Sequence, residues 1–297
     1  MPNRNSLLSF LVVFGMWGVA TPALGQALVP HTLQINSAQL EQQGLSLAQE
    51  AAQLAQFQQY EMALPRARLA TQLAPKSYQS WFLLGGLYLQ TDKFNEAIAA
   101  LKQARTLDPK NASILFALGS ANFQYEKYDA AAENLQAGLK LKPNDAEALF
   151  DLGNTYYKLA RLPDAIAEYN KAIVGDKKFW PAINNIGLIK YEQGDVETAI
   201  QQWQAAIAID KQAAEPQMAM AVALYAKGDR KQSIAMGEAA LRIDNRHADL
   251  DYLKQNLWGD RLLADTQKFL IIPRIQATVQ QLQSQPASPQ RTPQQRP

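Results

Sequence analysis

Small and large apolar residues recur along this chain at a fixed interval. The stretch LDPKNASILFALG, residues 107–119, returns 34 residues later as LKPNDAEALFDLG, residues 141–153. A 34-residue period with this internal pattern is typical of an array of helix–turn–helix repeats. Each copy forms one pair of helices, which buries its apolar face only by packing against a neighbouring pair.

Three positions of the repeat hold only small residues. We place six repeats at residues 44–77, 78–111, 112–145, 146–179, 180–213 and 214–247. The eighth, twentieth and twenty-seventh positions are Gly, Ala or Ser in every copy, whereas large apolar residues occupy positions 4, 7 and 24 of repeats 2 to 5. The first and last repeats depart from this pattern, with Glu50 at position 7 and Gln217 at position 4. Larger side chains at the small positions would force the helices apart, at roughly 1–3 kcal/mol each. We expect helices to touch most closely there.

Two copies carry a recognisable motif. The pattern W-x-x-L-G-x-x-Y is matched by Trp81, Leu84, Gly85 and Tyr88, and in part by Leu149, Leu152, Gly153 and Tyr156. Here the sequence resembles the tetratricopeptide repeat (TPR) family over residues 44–247. The resemblance implies an all-α fold, a right-handed superhelix or α-solenoid of about six repeats, followed by C-terminal capping helices. Pro65 is expected to kink or shorten the second helix of repeat 1.

The ends of the chain differ from the repeats. Residues 1–25 have one charge, Arg4, then an apolar run and a small-residue exit, so we predict a signal peptide or a membrane anchor inserted in the membrane. The predicted location of the chain is membrane-associated or exported, at the thylakoid or in the periplasm. We assign residues 26–43 to a linker and residues 248–283 to capping helices. Residues 284–297 are rich in Pro and Gln, and we predict them to be disordered.

Composition argues against most kinds of chemistry. The net charge is only +2, from 29 basic and 27 acidic residues, which does not favour a nucleic-acid partner. The chain has no cysteine and two histidines, His31 and His247, so no metal site is expected. It also lacks phosphate-loop and nucleophile-elbow motifs. We expect no catalytic residues, no cofactor and no small-molecule substrate.

The resemblance implies that the first helix of each repeat lines a concave groove. The predicted groove residues are largely aromatic or amide side chains: Phe82, Leu89, Phe116, Phe123, Phe150, Asn154, Tyr157, Asn184, Asn185, Tyr191, Met218 and Tyr225. Exposed apolar surface on this scale is typical of an interaction site, and the amides could hydrogen-bond a partner's backbone. An alternative is that the rings partly pack on one another. The groove lacks the cations of a carboxylate clamp.

We therefore predict a non-catalytic, exported or membrane-tethered scaffold that binds a protein client through an extended segment or a helix with apolar anchors. In layout the chain resembles the cyanobacterial and chloroplast TPR factors of photosynthetic biogenesis. That resemblance implies a thylakoid location and, as client, protochlorophyllide oxidoreductase or a photosystem subunit. The alternative function is a periplasmic accessory of cell-envelope assembly or polysaccharide secretion.

Overall fold

The structure, a computed structural model, describes residues 36–284. The predicted signal or anchor segment, residues 26–35 of the linker and residues 285–297 of the tail lie outside the described residues. Between Ser37 and Ser284 the chain forms 15 α-helices and one short 3₁₀ helix, with no strand in this part. No helix in the described part is long and apolar enough to cross a membrane.

Twelve helices form six consecutive pairs, one for each predicted repeat. The pairs are α1 (Ser37–Gln56) with α2 (Tyr60–Leu73), α3 (Tyr78–Gln90) with α4 (Phe94–Leu107), α5 (Ala112–Gln124) with α6 (Tyr128–Leu141), α7 (Ala146–Lys158) with α8 (Leu162–Gly175), α9 (Trp180–Glu192) with α10 (Val196–Ile209), and α11 (Ala214–Lys227) with α12 (Arg230–Ile243). The second helix of each pair also packs on the first helix of the next. This arrangement is an α-solenoid, and it confirms the predicted all-α fold.

The first helices of repeats 2 to 6 start at the residues with which the predicted repeats begin. Short polar side chains determine several of these starts. Ser77, Asn111 and Asp145 accept hydrogen bonds from backbone N–H groups in the first turns of α3, α5 and α7. Such caps satisfy donors that have no partner within the helix.

Repeat 1 differs from the prediction in two respects. Residues 37–43, assigned to the linker, form the first two turns of α1. The second helix, α2, spans 14 residues, as many as α4, so Pro65 does not shorten it. Pro65 is exposed, and the one helical hydrogen bond that it removes involves a carbonyl group that water can reach.

The small positions of the repeat form the contacts between paired helices. All eighteen of these residues are buried. A Cβ atom added to Gly153, at position 8, would lie 2.4 Å from the ring of Tyr169, at position 24 of the same repeat. At Gly187 the corresponding distance is 2.5 Å, to the indole nitrogen of Trp203. The expectation that large residues fill the gaps left by small ones is confirmed.

After α12 the chain changes direction. A 3₁₀ helix (Asn245–Ala248) leads into α13 (Leu250–Gln255), α14 (Asp260–Leu270) and α15 (Pro273–Ser284). Helix α13 spans only six residues, less than half the length of any first helix in the array, so no seventh pair of this kind follows α12. The helix ends where Leu257 adopts a left-handed conformation, with φ of 68°. Helix α15 then packs against α12, and α14 against α9 and α11.

Candidate partner-binding groove

Helix α14 lies across the first helices of repeats 5 and 6, on the surface predicted to receive a partner. Its residues Leu262, Thr266 and Phe269 are fully buried. They are spaced four and three residues apart, so they form one stripe along the helix. The chain therefore occupies part of its own groove. We call repeats 5 and 6 the covered half of the groove, and repeats 1 to 4 the open half.

The last residue of α9 fixes the start of α14. The carboxylate of Glu192 accepts hydrogen bonds from the backbone N–H groups of Arg261, at 3.0 Å, and Leu262, at 2.9 Å. It thereby caps the positive end of the helix dipole. Gly259 permits this approach, because a Cβ atom there would lie 2.2 Å from the carboxyl carbon of Glu192.

Tyr191 links the groove floor to the middle of α14. Its hydroxyl group donates a hydrogen bond to Asp265 at 2.8 Å, and its backbone carbonyl accepts one from the Arg261 guanidinium at 3.2 Å. Burial raises the pKa of Tyr191, and its bond to the Asp265 carboxylate raises that pKa further. Tyr191 thus stays protonated and bound to Asp265 well above neutral pH.

Aromatic contacts hold the other end of α14. The ring of Phe269 meets that of Tyr225 edge to face, with centroids 5.6 Å apart. It also fills the space beside Gly237 of α12, where an added Cβ would lie 2.5 Å from the ring. On the approach to α14, the indole of buried Trp258 donates to the carboxylate of Glu215 at 3.0 Å.

The prediction for the covered half requires correction. Tyr191 and Met218 are 0% exposed, Asn184 is 1% exposed and Asn185 is 7% exposed, so none of them can be contacted by a partner in this structure. Tyr225 is half-buried beneath Phe269. The prediction placed these residues in the groove but did not include the helix that covers them.

The predicted amides bond to groups of this chain. Asn154 accepts hydrogen bonds from the Tyr169 hydroxyl at 2.7 Å and from the Asn185 amide at 2.9 Å, and Asn184 donates to Asn185 at 3.1 Å. These bonds join α7, α8 and α9 around a buried polar cluster. The amides therefore hold neighbouring repeats together, and the prediction that they bind a partner's backbone is corrected.

The open half keeps its apolar side chains half-exposed, although they also pack within the chain. The six predicted residues of this kind are Phe82, Leu89, Phe116, Phe123, Phe150 and Tyr157. Phe150 meets Phe179 edge to face at 5.4 Å, and Phe123 meets Tyr128 in the same way at 5.5 Å. In both pairs the partner is an aromatic residue outside the predicted groove set. Their role in binding a partner stays a prediction.

The open half carries little charge. Positions 2, 5, 6, 9, 12 and 13 of repeats 1 to 3 contain no residue that is charged at neutral pH, and those of repeat 4 contain three, Glu147, Asp151 and Lys158. Tyr157 marks the border with the covered half. Burial raises its pKa to about 12, with smaller contributions from the negative charges of Glu192 and Asp260.

Neighbouring first helices are bridged at a recurring pair of positions. The Ser120 hydroxyl donates to Asp151 at 3.2 Å, and Asn185 donates to Asn154 at 2.9 Å. In each pair the ninth residue of one repeat meets the sixth residue of the next. The equivalent pair between repeats 2 and 3 is Gly86 and Ala117, which cannot form such a bridge.

The groove offers no arrangement of metal ligands. Among residues 36–284, no group of three or more His, Cys, Asp or Glu side chains lies close enough to hold a metal ion. His247 is buried, with its Nδ1 atom 3.1 Å from the backbone carbonyl of Asp244. Burial lowers the pKa of its imidazole, as expected for a structural histidine.

Comparison with known proteins identifies the class. The family model for the TPR domain of cytochrome c-type biogenesis protein H matches residues 30–174, and a TPR repeat model matches residues 187–228. The chain is therefore a tetratricopeptide repeat protein. No curated protein sequence matches it significantly.

Solved structures share the fold. MamA is 26% identical, and the match covers 55% of this chain and 96% of MamA with a TM-score of 0.52. YrrB, described as a TPR protein with an unusual peptide-binding site, is 23% identical over 61% of this chain and 90% of its own, with a TM-score of 0.50. PilF from Pseudomonas aeruginosa is 16% identical over 73% and 98%, with a TM-score of 0.60.

Proposed function

We propose that this protein is a non-catalytic scaffold that holds a client protein in the open half of its groove. The observation that carries the proposal is the row of half-exposed apolar side chains on α3, α5 and α7. Exposed apolar side chains grouped at equivalent positions of neighbouring helices usually mark a binding site. TPR repeats are protein-interaction modules, and no feature of the described residues points to a reaction.

The covered half supports this proposal by example. There the same groove positions already receive an amphipathic helix, through apolar contacts and a few directed hydrogen bonds. The open half has apolar residues at the corresponding positions 5 and 12 of each repeat, but no helix of the described chain lies over them. A client segment would supply the missing cover.

A role in assembly is the second part of the proposal. The family model over residues 30–174 is described for a cytochrome c-type biogenesis protein, which supports a chain that assists the assembly of another protein. We propose that the chain is exported or membrane-tethered through residues 1–25. As client we propose a chlorophyll-synthesis enzyme, such as protochlorophyllide oxidoreductase, or a photosystem subunit.

The test is a crosslinked pull-down from native membranes, with mass spectrometry of the partners and of the mature N-terminus. We expect one dominant client, captured by the wild type and lost with the double variant Phe82→Ser/Phe123→Ser. The control is Phe57→Ser, since Phe57 is 75% exposed and lies in the α1–α2 turn, outside the groove positions. Circular dichroism must show both variants folded.

Two outcomes would contradict parts of this proposal. Retention of the client by the folded double variant would show that the groove is not the binding surface. Recovery of envelope-assembly or secretion proteins, with a mature chain that starts near Gln26, would replace the photosynthetic client by a periplasmic one. In that second case the scaffold itself would stand.

A further inference from the structure

Gly86 leaves a gap in the floor of the open half. It lies inside α3, at position 9 of repeat 2, and a Cβ atom added there would meet no atom within 4 Å. Every other glycine inside a helix of the described chain has a neighbour within that distance. Those glycines make room for a packed side chain or backbone, whereas Gly86 borders empty space.

The repeat pattern shows what lies across this gap. In repeats 3 and 4 the ninth residue is bridged to the residue 31 positions later, as in Ser120 with Asp151 and Asn154 with Asn185. The same step from Gly86 leads to Ala117 on α5. By this register, two small residues occupy the positions at which the neighbouring repeats have a polar bridge. We call this gap between α3 and α5 the notch.

Apolar side chains flank the notch. Phe82 and Leu89 lie four residues before and three residues after Gly86, so all three share one face of α3. Phe82, Leu89 and Ala117 are half-buried and pack against the core beneath them. The groove positions of repeats 1 to 3 bear no charge. An uncharged recess with apolar walls favours a large apolar side chain over a polar one.

The covered half indicates that a helix of the partner would present that side chain. Helix α14, with 11 residues, spans two neighbouring first helices and turns the stripe Leu262, Thr266 and Phe269 towards the groove. The open half continues the same surface across α3, α5 and α7. First helices about 8–10 Å apart, and a rise of about 1.5 Å per residue, mean that a helix of roughly 12 residues joins the outer two.

We propose that the notch receives a large apolar side chain from an amphipathic helix of the client, which lies across α3, α5 and α7 as α14 lies across α9 and α11. This inference rests on the proposed function and specifies its partner. The helix presents an uncharged stripe of Leu, Phe or Met, at spacings of three and four residues. The notch, at Gly86 and Ala117, receives the large apolar residue that lies near the centre of this stripe.

The test measures binding of a fluorescein-labelled, 18-residue designed peptide to the full-length chain by fluorescence anisotropy. The peptide carries Leu and Phe along one helical face and alternating Glu and Lys elsewhere. A second peptide has proline at its two central apolar positions and cannot form the helix. We expect the first peptide to bind and the second to bind at least about tenfold more weakly, a difference that the loss of a few apolar contacts would produce.

The decisive variant is Gly86→Leu, which fills the notch. It should fold, because the new side chain enters open space and leucine is a better helix former than glycine. The matched control is Ala99→Leu, which adds the same bulk to an exposed position of α4. We expect Gly86→Leu to weaken binding of the first peptide at least about tenfold, by overpacking, and Ala99→Leu to leave it within twofold.

Each contrary result has a separate meaning. Unchanged binding to a folded Gly86→Leu variant would overturn the notch, and equal binding of the proline peptide would overturn the helical partner. In either case, loss of the native client with Phe82→Ser/Phe123→Ser would leave the proposed scaffold function intact. If that double variant keeps its client as well, the open half of the groove is not the surface that binds the client.

Discussion

The two halves of the groove are built from the same repeat but have different surroundings. In the covered half α9 is buried from Pro181 to Ile189, and α11 from Pro216 to Ala223, on all sides. In the open half α3, α5 and α7 each keep a half-exposed face. Helix α14 packs on α9 and α11, whereas no described helix beyond the array packs to a comparable extent on α3, α5 or α7. One fold can therefore cover one part of its groove with its own helix and leave the other part uncovered among the described residues.

This comparison predicts first that the covered half depends on α14 for its stability. Phe269→Ala should lower the free energy of unfolding by roughly 3–5 kcal/mol, because it empties a fully buried site between Tyr225 and Gly237. Urea unfolding, followed by circular dichroism, measures the loss.

The matched control for Phe269→Ala lies two residues further along the chain. Ile271 is 63% exposed, and Ile271→Ala should change the free energy of unfolding by less than about 0.5 kcal/mol. Equal, small losses for both variants would mean that α14 does not support the covered half. The contrast between the two halves would then be wrong.

The second prediction concerns two helical glycines of different surroundings. Gly153→Ala should destabilise the fold by roughly 1–3 kcal/mol, because the new methyl group would collide with the Tyr169 ring. Gly86→Ala, in the open groove, should instead stabilise it by up to about 1 kcal/mol through helix propensity. Thermal unfolding of both variants tests this, and a loss of stability with Gly86→Ala would show that the notch is filled.

How far the sequence predicts this contrast depends on which residues are considered. The period of 34 and the eighteen small positions place the helices and their contacts, because a small residue between packed helices has few alternatives. The groove positions follow from the family resemblance. Their exposure does not, since it depends on which segment lies over them.

The absence of charge does not separate the two halves in the sequence. Residues 216–226 of α11 include no charged side chain, as is normal for a helix buried on all sides. Helices α3 and α5 of the open half also contain no charged residue, so this pattern alone does not predict which repeats are covered. The identity of the cover depends on Glu192, Gly259 and Asp265, which meet only after the chain reverses, and on distances that no local pattern encodes.

A third prediction addresses the hydrogen bond that joins Tyr191 to α14. Tyr191→Phe removes the donor to Asp265 but keeps the ring, so at neutral pH it should cost roughly 1–2 kcal/mol. Asp265 retains its ion pair with Lys268 at 2.9 Å, and water can reach part of its carboxylate, which limits the loss.

The pH dependence of this variant gives a second readout. The pKa of Tyr191 is raised in the folded state, so its contribution is complete below the unfolded pKa of about 10 and is lost as pH rises beyond it. Phenylalanine does not titrate. The stability gap between Tyr191→Phe and the wild type should therefore narrow above pH 10 in urea unfolding, and a gap that stays constant would contradict the role of the hydroxyl group.

The smallest predicted effect concerns the turn between the two helices of each repeat. The fifteenth residue of each repeat lies in the left-handed region: Gly194 and Gly228 fill it in the covered half, with φ of 85° and 97°, whereas the open half has residues such as Ala160, with φ of 57°. Because glycine enters this region without a steric penalty, Ala160→Gly should raise the free energy of unfolding by up to about 1 kcal/mol. The reciprocal change, Gly194→Ala, should lower it by a similar amount. Thermal unfolding resolves both shifts, and opposite signs would mean that a side chain at this turn position carries no steric penalty, so that the turns do not distinguish the two halves.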